Sequence, residues 1–169
     1  HSALSFDCTA PLPDMVRAAR QAGLRELCVT DHCDFLTEQG APSAQYDWDS
    51  AIAQYDEVRQ TLAGTDFILR LGLELGMPHL DPAGAAAICA QPRADFILGS
   101  VHNQSPGQGG VDLYYLDYAQ PETCYAALDD YFASLDALAR TDFYDVLAHI
   151  IYPLRYMPEG ISLPTSTDR

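Results

Sequence analysis

The stretch Leu24-Arg25-Glu26-Leu27-Cys28-Val29-Thr30-Asp31-His32 decides the class of fold. It is an apolar, partly β-branched run of strand length that closes on an acidic residue and a histidine. Three later runs share this character, and segments of helical period separate them. The alternation predicts an α/β fold around a parallel sheet. The expected strands are residues 24–30, 67–73, 96–101 and 146–150, and the expected helices are residues 14–21, 49–62, 82–90 and 121–139.

Composition excludes several classes of function. Nine Lys and Arg stand against 24 Asp and Glu among 169 residues, so the formal net charge is −15. A field of that sign repels phosphate backbones and anionic lipid surfaces, which argues against nucleic-acid and membrane partners. The five cysteines are odd in number and form no C-x-x-C pair, as is typical of free thiols in a reducing compartment. We therefore expect a cytoplasmic protein, folded as a single domain over residues 1–169, whose partner is a small molecule.

Each of the four expected strands delivers one metal-binding side chain at its carboxyl end. His32, His102 and His149 close three of these runs, and Glu74 closes the fourth. The carboxyl ends of parallel strands meet at one rim, where the active sites of barrel enzymes lie. One histidine in such a place is usually a hydrogen-bonded core or loop residue. Four sites in the same register indicate a shared metal site instead.

The residue types suit a cluster of divalent ions. Neutral imidazoles with a carboxylate accept Zn²⁺, Fe²⁺ and Mn²⁺, and the two oxygens of Glu74 can bridge two ions. Neighbouring ions lower the pKa of a shared water and stabilise both the attacking and the leaving oxygen in the cleavage of a phosphate ester. We interpret Asp31, beside His32, as a catalytic-site residue that orients a ligand or a water. The sequence thus predicts a cluster of divalent metal ions, a kind of site suited to the cleavage of phosphate esters.

Taken together, these motifs resemble those of the polymerase and histidinol phosphatase (PHP) family, most closely its histidinol-phosphatase branch. The resemblance runs the whole length of the chain and keeps the order of the family. It implies a distorted, TIM-like (β/α)7 barrel with a metal cluster at its C-terminal rim. The motifs are His1-Ser2 with Phe6-Asp7, Thr30-Asp31-His32, Gly72-Leu73-Glu74-Leu75-Gly76, Gly99-Ser100-Val101-His102, and Val146-Leu147-Ala148-His149 with Arg155-Tyr156.

The resemblance implies a role for each member of the first two metal sites. His1 is similar to the second histidine of the family's opening H-x-H motif, a ligand of the first metal. Glu74 matches the carboxylate that bridges the first and second metals. By the same likeness, His102 and His149 complete the second site.

For the third metal and the substrate, the resemblance implies three further residues. His32 would hold the third metal, and Asp7 stands where many relatives place another ligand of that metal, often a histidine. Arg155 resembles the basic residue that grips the substrate phosphate, a task suited to a planar bidentate donor.

The sequence also departs from the family pattern at both ends. The residues that precede His1 in the opening motif and the closing D-x-H motif are absent. The first metal would therefore lack an imidazole and a carboxylate, and the third an imidazole. We interpret the chain as an internal fragment whose barrel lacks its first and last strands, and we expect the isolated piece to be poorly active.

The expected function is hydrolysis of L-histidinol phosphate to L-histidinol and phosphate, a step of histidine biosynthesis, by a metal-dependent phosphomonoesterase. Three alternatives stay open on the sequence. One is a PHP phosphoesterase that acts on a sugar or nucleotide phosphate. Another is a non-catalytic PHP scaffold, although the ligands are intact wherever the chain extends. The third is a metal-free protein whose histidines cluster by coincidence.

Overall fold

The computed structural model describes residues 1–161, so the last eight residues of the expected domain, 162–169, lie outside the described residues. Strands and helices alternate along the chain, as the sequence predicts. The strands are β1 (Glu26–Asp34), β2 (Ile68–Gly76), β3 (Phe96–Ser100) and β4 (Val146–Leu147), and the helices are α1 (Leu12–Gln21), α2 (Trp48–Thr61), α3 (Pro82–Cys89) and α4 (Pro121–Ala139).

The helix starts follow from local chemistry. Asp47 precedes α2 and accepts a hydrogen bond from the backbone N–H of Ser50, and Asp81 does the same for Gly84 at the start of α3. These carboxylates satisfy N–H groups that have no partner within a helix. Prolines stand in the first turn of α1, α3 and α4, where their missing N–H costs nothing.

The four strands form one parallel sheet in the order β1-β2-β3-β4. Alternate residues of β2, from Leu69 to Leu75, are buried and belong to the two apolar clusters that contain residues of the helices. Successive strand residues point to opposite faces, so Glu74 and the glycines beside it lie on the other face. The sheet therefore has a packed helix side and a second side that carries the polar residues.

Three strands end three or four residues away from the expected positions. β1 and β2 pair in register as far as Asp34 and Gly76, so His32 and Glu74 lie within strands rather than after them. β4 covers only two residues, and His149 lies beyond it with a positive φ of 22°, a value that ends an extended strand. The shift places His32 and Glu74 opposite each other in the β1–β2 register.

Two long connections leave the carboxyl end of the sheet, and they are tied together. The side-chain amide of Asn103 donates hydrogen bonds to the carbonyl oxygens of Thr37 and Gly110, both at 2.9 Å.

All five cysteines are free thiols. Within residues 1–161, the helices are too short or too polar to cross a membrane.

Candidate metal centre

Glu74 lies at the centre of the polar cluster. Its side chain is buried, and each carboxylate oxygen faces a different set of imidazoles. Oε2 lies 3.1 Å from Nε2 of His1, whereas Oε1 lies 3.0 Å from Nε2 of His102 and 3.1 Å from Nε2 of His149. The hydroxyl of Ser100 also donates to Oε1, at 2.7 Å. Glu74 thus divides its two oxygens between two groups of nitrogen ligands.

The sheet positions most of these side chains directly. Glu74 is the register partner of His32 on β1 and of Leu98 on β3, and register partners in a parallel sheet point to the same face. His102 follows β3 by two residues, and His149 follows β4 by two. The hydroxyl of Tyr131 on α4 donates a hydrogen bond of 2.6 Å to the carbonyl of His149 and holds that turn in place.

The amino-terminal segment supplies His1 and Asp7. Nδ1 of His1 lies 2.8 Å from Oδ2 of Asp7, and Nε2 of His32 lies 3.7 Å from the same oxygen. Since Nε2 of His1 reaches Glu74, this imidazole joins the segment to the sheet. All six residues expected as metal ligands therefore lie within one polar cluster.

Asp31 lies on the opposite side of β1 from His32. Adjacent strand residues alternate sides, so its fully buried carboxylate points away from the face that carries His32. It accepts hydrogen bonds from the backbone N–H and the hydroxyl of Ser2 and from the hydroxyl of Ser5. Asp31 therefore anchors the segment that carries His1, and among residues 1–161 its side chain hydrogen-bonds only Ser2 and Ser5.

We expect Asp31→Ala to lower the free energy of unfolding by about 3 kcal/mol, because the buried donors of Ser2 and Ser5 lose their acceptor. Urea denaturation of the protein expressed from its full reading frame measures the change. Asp136→Ala is the control, because it removes only an exposed pair with Arg140 and should cost less than about 0.5 kcal/mol. Equal effects of the two changes would contradict the anchoring role.

The histidines and carboxylates of the cluster shift one another's pKa values. The hydrogen bond with Glu74 raises the pKa of His1 to about 9, against the effect of burial. Burial would lower the pKa of His102, but hydrogen bonds with Asp34 and Glu74 raise it to about 10. Burial would likewise raise the pKa of Glu74, yet the hydrogen bonds with three histidines hold it well below its usual range. The carboxylates therefore stabilise the protonated form of His1 and His102, and the histidines stabilise the ionised form of Glu74.

The donor set fits divalent metal ions. Three groups of residues each place ligand atoms within 4.8 Å of one another. Nε2 of His102 also lies only 3.4 Å from Nε2 of His149, and both atoms face the same oxygen of Glu74. Two ring nitrogens and a carboxylate that converge in this way match the ligand types of zinc, iron and manganese. The groups are His1, His32 and Glu74; His32, Asp34 and His102; and Glu74, His102 and His149.

A cavity of about 570 Å³ opens above the cluster, and all six expected ligands line it. Arg155 lines it too, with its guanidinium carbon 5.2 Å from the ring centre of Tyr156. Among residues 1–161 this arginine forms no ion pair with a carboxylate. Tyr114 and Tyr152 add further aromatic wall. The cavity thus combines a candidate metal cluster, the guanidinium group of Arg155 and flat aromatic surfaces.

Two polar residues of the cluster were not expected from the sequence. Asp34 lies between His32 and His102, and Ser100 hydrogen-bonds Glu74. The signal for Asp34 is its spacing, because residues 32 and 34 of a continuous strand share a face. The predicted strand ended at Thr30, so residues 32 and 34 were not assigned to a common strand face.

Comparison with known proteins agrees with the sequence motifs. A family model described as "PHP domain" matches residues 1–164. A Deinococcus radiodurans protein named "Probable histidinol-phosphatase" is 27 % identical over 160 residues, which span 92 % of this chain and 60 % of that protein. The chain therefore spans about three-fifths of the curated relative that it matches.

A solved structure shares the fold. The crystal structure of a histidinol phosphate phosphatase from Lactococcus lactis superposes with a TM-score of 0.74 at 23 % identity. The match covers 95 % of this chain and 59 % of the other, and that protein was crystallised with zinc, L-histidinol and phosphate. The expected fold, an α/β architecture of the histidinol-phosphatase type with a parallel sheet, is confirmed.

Proposed function

Because the chain belongs to the PHP domain family, we propose that the protein is a metal-dependent phosphomonoesterase that hydrolyses L-histidinol phosphate. One observation carries the proposal, namely that Arg155 lines the same cavity as six candidate metal ligands. A phosphate ester needs such a combination, because negative charge grows on its oxygens during transfer. The relative named a histidinol-phosphatase and the Lactococcus lactis structure with L-histidinol and phosphate support the substrate.

The proposal assigns the metal ligands by their positions around Glu74. His1 and Oε2 of Glu74 belong to one site, and Oε1 of Glu74 with His102 and His149 to a second. His32 and Asp7 belong to a third. Zinc, iron or manganese held by these residues would lower the pKa of a water molecule and offset negative charge on the phosphate.

The chain's own residues bind and orient the substrate. Arg155 offers two parallel N–H donors to phosphate oxygens, and its contact with the Tyr156 ring limits the orientations of the guanidinium. Tyr114, Tyr152 and Tyr156 form flat walls on which an imidazole of the substrate can stack. With its phosphate at the metal cluster and its imidazole stacked on the tyrosines, the ester would bind in a single orientation.

Cellular context follows from the same proposal. L-Histidinol and phosphate are the products, so the enzyme would act in histidine biosynthesis. The free thiols support a cytoplasmic location.

The test is phosphate release from L-histidinol phosphate by the protein expressed from its full reading frame, with Mn²⁺ or Zn²⁺ present. Fast release with this ester supports the proposed substrate. Slow release alongside brisk hydrolysis of sugar or nucleotide phosphates would overturn the substrate and keep the phosphoesterase. Bound metal without hydrolysis of any ester would favour a scaffold role.

We expect Arg155→Ala to lower kcat/KM for L-histidinol phosphate about 100-fold, because a charge-assisted bidentate contact with phosphate is lost. Arg155→Lys should recover only part of the loss, since an ammonium group cannot make two parallel contacts. Steady-state kinetics measures both changes, with Arg140→Ala as the surface control. An unchanged kcat/KM in Arg155→Ala would remove this residue from the substrate site.

A further inference from the structure

We propose that Asp34 is a positioning residue whose single carboxylate orients the imidazoles of His32 and His102, so that their Nε2 atoms are presented to the metal ions. The inference rests on the proposed metal centre and adds a residue to it. Its basis is the packing of three neighbouring strands.

The two oxygens of Asp34 lie close to two different histidines. Oδ1 lies 2.8 Å from Nδ1 of His102, and Oδ2 lies 3.3 Å from Nδ1 of His32. The Asp34 side chain is only 13 % exposed, and the two imidazole side chains are 8 % and 11 % exposed. Water therefore has little access to compete for either Nδ1 atom. Each ring has its Nδ1 facing the same carboxylate.

Gly76 provides the space for this arrangement. It is the register partner of Asp34 on the adjacent strand, and His102 follows the strand beyond it. A Cβ atom on Gly76 would lie 1.6 Å from Oδ1 of Asp34 and 2.7 Å from Nδ1 of His102. The carboxylate thus passes directly over a residue that has no side chain. Any larger residue at position 76 would separate Asp34 from His102.

The contacts of Nε2 of His102 indicate whether Asp34 positions this ring or binds a metal together with it. Nε2 already faces Oε1 of Glu74 at 3.0 Å and the imidazole of His149 at 3.4 Å. A metal in that group leaves Nδ1 to donate its hydrogen to Asp34. An acceptor at Nδ1 fixes the tautomer, so the lone pair stays on Nε2, and it makes that nitrogen a stronger ligand. Asp34 makes this hydrogen bond with His102, and its other oxygen lies 3.3 Å from Nδ1 of His32, an ion-pair contact that restricts the orientation of the second ring.

The first test needs no substitution. In the ¹⁵N-histidine-labelled protein from the full reading frame, loaded with Zn²⁺, nitrogen chemical shifts report which ring nitrogen carries the hydrogen. We expect His32 and His102 to carry it on Nδ1 and to bind Zn²⁺ through Nε2. Zn²⁺ bound through Nδ1 of either ring would overturn the proposal.

The second test compares variants by Co²⁺ titration followed through visible absorption. Asp34→Asn and Gly76→Ala should each weaken Co²⁺ binding about 10- to 100-fold and alter the absorption bands, because the imidazoles lose their common acceptor. Gly72→Ala is the matched control on the same face of β2, where the added methyl meets Thr30 and Cys28 instead. It should bind Co²⁺ as the unmodified protein does.

The outcomes separate this inference from the proposed function. Unchanged binding and spectra in Asp34→Asn, or equal losses in Gly72→Ala and Gly76→Ala, would overturn the role of Asp34 while the metal centre stands. An unmodified protein that binds no Co²⁺ or Zn²⁺ would overturn the metal centre itself. If a variant fails to fold, the tautomers of the unmodified protein decide the question.

Discussion

Replacing His102 with alanine is expected to reduce phosphate release from L-histidinol phosphate at least about 1000-fold. Of the two histidines that face Oε1 of Glu74, His102 is buried and His149 is exposed. Losing His102 would leave two ligands for the proposed second metal. A bound ion supplies several kcal/mol of charge stabilisation in the transition state. Losing about 4 kcal/mol of it corresponds to a 1000-fold lower rate.

A matched control separates this loss from simple disruption of the fold. His79 is a half-buried histidine in the turn after β2, and it lies outside the cavity. His79→Ala should retain most of the activity, and melting curves of both variants should show cooperative unfolding. A His102→Ala protein that keeps more than about a tenth of the activity with full metal content would contradict the assignment of the second site.

The sequence was informative about the cluster because parallel strands impose a common geometry. His32 and Glu74 are direct register partners, and His102 lies one strand further along the sheet. Any parallel arrangement of these strands brings their carboxyl ends together, whatever the lengths of the loops. The proximity of His32, Glu74 and His102 was thus predictable from a parallel sheet and residue type, whereas His1 and Asp7 were implied only by the family resemblance.

Side-chain direction was less predictable, because it depends on where each strand ends. A strand that stops at Thr30 places Asp31 in a loop, free to turn toward His32. The observed β1 continues to Asp34 because β2 pairs with it along its whole length. The continuation turns Asp31 away from the centre and brings Asp34 into it. Pairing with a partner strand is a tertiary effect that local sequence does not encode.

Removing the metal ions is expected to lower the free energy of unfolding by about 4 kcal/mol when the free ion had exceeded its dissociation constant about 1000-fold. Only the fold brings the proposed ligands together, so the binding energy of the ions would add to the free energy of unfolding. Melting of the full-reading-frame protein with and without a chelator measures the difference. A magnesium-loaded control should show a smaller shift, since Mg²⁺ prefers oxygen ligands.

The size of that difference should increase with pH, and the sign follows from the histidines. In the metal-free protein, the pKa of His1 is raised to about 9 and that of His102 to about 10, from an ordinary value of 6.5. The stability that their protonation contributes is fully present below pH 6.5. It is lost as the pH rises through 9 and 10, so the metal-free protein becomes less stable. Metal ions compete with those same protons, so they bind more tightly over this range. The gap in melting temperature between loaded and chelated protein should therefore be wider at pH 9 than at pH 6.5, and a gap that narrows would show that His1 and His102 do not bind the metal.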